Sequence, residues 1–77
     1  MTSTVITNGI RKLRFEHAEM TQQELADRIS VTRQTVNAIE AGKYSPSLEV
    51  AFRIAKVFAL RVDEVFQFAE PARGSRK

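Results

Sequence analysis

Arg33, Gln34 and Asn37 are the residues whose types and spacing most directly suggest a chemistry. A guanidinium can pair with guanine or reach a phosphate. A carboxamide presents a donor and an acceptor side by side, the complement of an adenine edge in the major groove of DNA. To act together, the three must project from one side of a helix. The stretch 31–42, VTRQTVNAIEAG, supplies such a helix from Arg33 to Ala41. The Thr32 hydroxyl can accept from a backbone N–H of the first turn, and Gly42 can take the left-handed conformation that commonly stops a helix. At 100° per residue, Thr35, Val36, Ile39 and Glu40 fall on one side, and Arg33, Gln34, Asn37, Ala38 and Ala41 on the other. The outer face therefore carries polar side chains at its start and small ones that permit close approach, which is what a helix entering the major groove needs. Solubility alone also puts such residues outward, so this helix by itself leaves both readings open.

The segment before it narrows the choice. Thr21-Gln22-Gln23-Glu24 fits a capping box, with the Thr21 hydroxyl on the Glu24 N–H and the Glu24 carboxylate back on Thr21. A helix follows to about Ile29, with Leu25, Ala26 and Ile29 apolar at helical spacing. Gln22 stands in its first turn beside free backbone donors, a setting suited to an anion. Ser30-Val31-Thr32 is too short for anything but a tight turn. Two short helices, that turn and a capped second helix make a helix-turn-helix.

The remaining elements must hold this unit. Residues 1–8 show no helical period and read as a flexible arm. A first helix is expected from about Gly9 to Ala18, capped by Asn8, with Ile10 and Leu13 inward and Arg11, Lys12 and Arg14 around them. Three cations near a helix start oppose its dipole; a phosphate backbone or a solvated face would both accommodate them. Pro46 disfavours helix at Ser45, so Ser47 caps a helix from Leu48 to about Ala59. It is apolar nearly all round, with Glu49, Arg53 and Lys56 on one narrow stripe. A last short helix, about Asp63 to Phe68, carries Val65, Phe66 and Phe68. Residues 70–77 form a disordered basic tail without apolar period, leaving 9–69 as the folded domain.

Composition excludes most other functions. Seventy-seven residues make one small domain. With no Cys and a single His, His17, there is no thiol nucleophile, disulfide or multi-histidine metal site, and no cofactor is expected. The carboxylates fall at caps and surface positions rather than converging, so an enzyme is not expected. Apolar runs are too short for a membrane span or signal peptide, and a cytoplasmic protein is the default. The net charge of +3 says little about nucleic acid. Residues 1–70 carry nine basic and nine acidic side chains, and the surplus is Arg73, Arg76 and Lys77. The arrangement of charge matters more than its sum.

The stretch MTQQELADRISVTRQTVNAIEAGKYSPSLEVAFRIAKVF resembles the Cro/CI-type (XRE family) helix-turn-helix of small bacterial regulators. The similarity lies in Thr-Gln-x-x-Leu-Ala, a turn, Val-x-Arg-Gln-Thr-Val, then Glu-x-Gly, Pro-Ser-Leu and Ile-Ala, within roughly residues 9–68. The resemblance implies an all-α, lambda-repressor-like bundle of about five short helices that binds a double-stranded DNA operator, usually as a homodimer on an inverted repeat. By the same resemblance Arg33, Gln34, Asn37 and Ala38 face the groove; Gln22 and Thr32 meet phosphates, as do Lys43 and Tyr44 in the following loop. Arg14 and Glu40 match a structural pair joining the first and third helices. Two departures concern turns. Ser30 stands where the family usually has Gly, and His17-Ala18-Glu19-Met20 is one residue longer than common, with Ala18 in place of Gly. A dimer surface must avoid the second and third helices, which leaves Val57, Leu60, Val62, Phe66 and Phe68 as candidates. Two rival functions keep the fold: an antitoxin-type regulator that also binds a partner protein, and a protein-only interaction module. The presence of Gln22, Arg33, Gln34 and Asn37 together speaks against the second, and the short tail against the first.

Overall fold

The computed structural model of the chain describes residues 6–68. Five helices follow one another: α1 (Ile10–Glu16), α2 (Gln22–Ile29), α3 (Arg33–Glu40), α4 (Leu48–Val57) and α5 (Val62–Val65). Strand β1 (Ile6–Asn8) precedes them and β2 (Phe66–Phe68) follows, paired antiparallel as Ile6 with Phe68, Thr7 with Gln67 and Asn8 with Phe66. Among the described residues no helix is long and apolar enough to cross a membrane.

Local chemistry sets the helix starts. Thr21 completes its capping box: its hydroxyl accepts from Glu24 N at 3.0 Å, and Glu24 Oε1 accepts from Thr21 N at 2.8 Å. Thr32 Oγ1 accepts from Thr35 N at 3.1 Å, and Ser47 Oγ from Val50 N at 3.2 Å. At the end of α3, Gly42 takes φ +75°. Lys43 N then reaches Ala38 O and Gly42 N reaches Ile39 O, both at 3.0 Å, the two bonds of a Schellman stop.

The core is one cluster, drawn from every helix. Ile10, Leu25, Ala26, Ile29 and Val65 are fully buried, with Val36, Ile39 and Ile54 nearly so, closed by Met20, Ala51, Ala55, Phe58 and Phe66. Helix α2 packs on both α3 and α4, and α4 on α5. Arg53 ties two of these together: its Nη1 donates to Ile29 O, capping the C-terminus of α2, while Nη2 pairs with Glu49.

Three expectations from the sequence are corrected. The arm expected through Asn8 gives way to β1 over its last three residues, while residues 1–5 and the tail 70–77 lie outside the described residues. The last helix stops at Val65, because Phe66 turns extended (φ −118°, ψ 140°) and Phe66–Phe68 pair with β1. The helical bundle thus carries a small two-stranded sheet. Finally, Phe66 is only 8% exposed and belongs to the core of its own chain, so it is not available to a dimer surface. Smaller differences concern ends. Helix α1 stops at Glu16 and α4 at Val57, because Ala18, Glu19 and Ala59 take positive φ. At the start of α1, Gly9 occupies the N-cap while the Asn8 side chain accepts from Ile10 N at 3.1 Å.

Candidate nucleic-acid interface

Helix α3 buries Val36 and Ile39 against the core and turns Arg33, Gln34 and Asn37 outward, all three exposed. Ala38 is half-buried beside them. Arg33 and Gln34 make no side-chain hydrogen bond or ion pair with any described residue. Their donors and acceptors can therefore be given to a ligand without breaking a contact among the described residues. Lys43 and Tyr44, in the loop past Gly42, are exposed and equally unengaged among the described residues. These four side chains and Asn37 come from one helix and the loop that leaves it.

The orientation of α3 is fixed by a polar cluster beneath this face. Arg14 Nε donates to Glu40 Oε2 at 2.6 Å and its Nη2 to Glu40 Oε1 at 3.1 Å, a two-pronged pair with side chains only 15% and 9% exposed. A planar guanidinium held this way fixes direction as well as distance. A third donor, Nη1, reaches Met20 O at 2.7 Å. One side chain of α1 thus holds both the turn before α2 and the last turn of α3. Asn8 does a similar service from the strand: its Nδ2 donates to Ile39 O at 2.9 Å.

Other expected site residues are engaged internally. The Thr32 hydroxyl, expected at a phosphate, caps α3 and shares a 3.0 Å hydrogen bond with Thr35 Oγ1. Gln22 Nε2 donates to Glu40 Oε1 at 3.1 Å and to Asn37 Oδ1 at 3.3 Å. Both N–H groups of the Gln22 amide are therefore committed, and a phosphate would have to displace one of them. Gln22, Asn37 and Glu40 line a polar cleft with Arg11, Arg14 and Ala41. Arg11, at its rim, has no ionic partner among the described residues.

Of the remaining dimer candidates, Val57, Leu60 and Val62 are half-buried against the core, while Phe68 is 61% exposed. Phe52, exposed by 58%, lines an open apolar groove with Leu60 and Val62. The sequence reading did not pick out Phe52, because an apolar residue on a mostly apolar helix carries no mark of which side it faces. Asn8 was also missed as a support of α3. Asn8 had a local signal, as a cap, but its contact with Ile39 spans 31 positions and leaves no trace in spacing.

Comparison with known proteins bears on the family and the fold. A helix-turn-helix family model matches residues 10–65. An uncharacterised HTH-type transcriptional regulator of Methanocaldococcus jannaschii is 44% identical over 61 residues, covering 77% of this chain and 92% of that protein. The cryptic phage CTXphi transcriptional repressor RstR of Vibrio cholerae is 33% identical over 66 residues, covering 86% of this chain and 59% of RstR. Among solved structures, the P22 c2 repressor in complex with a synthetic operator superposes with a TM-score of 0.65. The identity there is 20%, covering 70% of this chain and 80% of the other, so that likeness speaks for the fold.

Proposed function

The chain belongs to the Cro/CI-type (XRE) family of DNA-binding helix-turn-helix transcriptional regulators, and on that premise we propose that it is a repressor whose helix α3 reads an operator in the major groove. The observation that carries this reading is the division of α3: Val36 and Ile39 are locked in the core while Arg33, Gln34 and Asn37 stand exposed, the first two without internal partners among the described residues. In this reading Gln34 pairs with an adenine edge, Arg33 with guanine or a phosphate, and Ala38 allows the helix to approach a thymine methyl. Lys43 and Tyr44 follow the sugar-phosphate backbone; Thr32 and Gln22 line the same approach. Repression is supported by the resemblance to RstR, a transcriptional repressor. A protein working on chromosomal DNA would act in the cytoplasm.

One copy offers few cations to a duplex. Residues 21–44 carry Arg28, Arg33 and Lys43 against Glu24, Asp27 and Glu40. Two copies on an inverted repeat would double the contacts, so the proposed form is a homodimer meeting through Phe68 and the half-buried Val57, Leu60 and Val62, with half-sites one helical turn apart, about 34 Å. A gel-shift assay against duplex fragments of its own promoter, with excess unrelated duplex as competitor, tests the proposal. Retention of one fragment under competition is expected. Equal loss of all fragments would show binding without sequence preference and contradict an operator function.

A further inference from the structure

The donor and acceptor ends of four side chains are fixed in sequence, from the interior to the outer face of α3. Arg14 can only donate, so Glu40 accepts from it through both oxygens. Glu40 Oε1 also accepts from Gln22 Nε2 at 3.1 Å, and an ionised carboxylate cannot donate. Only the nitrogen end of the Gln22 amide can therefore face it. The second N–H of that nitrogen meets Asn37 Oδ1 at 3.3 Å. Asn37 is thereby turned with its oxygen toward Gln22 and its nitrogen away. Burial falls along the same path: the Glu40 side chain is 9% exposed, Gln22 half-buried, Asn37 exposed.

An unrestrained carboxamide turns end for end at little energetic cost, and each orientation suits a different base edge. We propose that Gln22 is a positioning residue for Asn37: held by Glu40, it selects which end of the Asn37 amide meets the base and so sets the preference at that base pair without touching it. The inference rests on the reading of Asn37 as a base contact.

Selection of bound sequences from a random duplex pool, run with the wild type, Asn37→Ala, Gln22→Ala and the double variant, separates the two ideas. Asn37→Ala identifies the base pair it reads, where a good contact gives a preference of roughly tenfold or more. Gln22→Ala is expected to reduce the preference at that same pair to about threefold or less, and the double variant to flatten it no further than Asn37→Ala alone. Gln22→Met, which keeps the side chain's stem but removes its donors, should behave as Gln22→Ala does; thermal melts confirm that each variant is folded. If Gln22→Ala and Gln22→Met lose affinity uniformly and leave that pair as sharp as in the wild type, the positioning role is wrong and the base contact stands. If Asn37→Ala alters no pair, the base contact itself is wrong, and the positioning role falls with it.

Discussion

Gln34 stands in the first turn of α3, its side chain exposed and without a hydrogen bond to any described residue. Nothing internal is lost when it is shortened, so its removal reads out the ligand contact almost alone. Gln34→Ala is expected to weaken the best site by about 1–3 kcal/mol and to relax preference at one base pair per half-site. Titration against single-base variants of the site checks this; an equal loss on every variant would leave Gln34 with no part in base reading. Ser30 shows a different residue-scale effect. It takes φ +64° and ψ +44° at the end of α2, where a Cβ is strained by roughly 1–2 kcal/mol. Its side chain is exposed and makes no hydrogen bond with the described residues. Ser30→Gly should therefore stabilise the fold by about 0.5–1 kcal/mol, the relief being partly offset by the freer unfolded chain. A rise of about 2–8 °C in Tm by circular dichroism would follow, whereas a fall would mean that the strain is not there. Ser30, Thr21 and Thr32 were legible in the sequence because caps and turns are chosen by residues within a few positions. The Gln22 hydrogen bonds were not, since its partners Asn37 and Glu40 lie on another helix.

At the scale of elements, α3 is aimed by side chains from its neighbours rather than by its own propensity. The Arg14–Glu40 pair is the main link, and its burial makes an unmatched partner expensive. Glu40→Ala leaves a guanidinium only 15% exposed without its carboxylate and should destabilise the fold by about 2–4 kcal/mol, measured by urea unfolding. A change below about 0.5 kcal/mol would place the pair among ordinary surface ion pairs. Helices α1 to α4 were readable because each carries apolar residues at helical spacing over about two turns or more. The end of the domain was not. Val65-Phe66-Gln67-Phe68 is short enough to fit either a helical turn or the alternation of a strand, and the decision belongs to β1, whose Thr7 lies 60 positions from its partner Gln67. Pairing with Ile6–Asn8 wins because it satisfies backbone groups at both ends of the chain. It also sets Asn8 where it donates to Ile39 O.

For the whole molecule, the proposed homodimer depends on a surface away from α2 and α3. Phe68 is 61% exposed at the end of β2, while its neighbour Phe66 is spent on the core. An exposed aromatic at the end of the last strand is suited to pairing with a second copy. Sedimentation equilibrium should find a dimer at tens of micromolar for the wild type and a monomer for Phe68→Asp, with the melting profile of the variant retained. A variant that dimerises as well as the wild type would remove Phe68 from the interface. The central claim, that α3 reads an operator, is tested most directly by selecting bound sequences from a random duplex pool with the wild-type protein. Enrichment of an inverted repeat whose half-sites are centred about 34 Å apart is expected; a pool that stays random after repeated rounds, although the protein retains duplex, would show that α3 reads no operator.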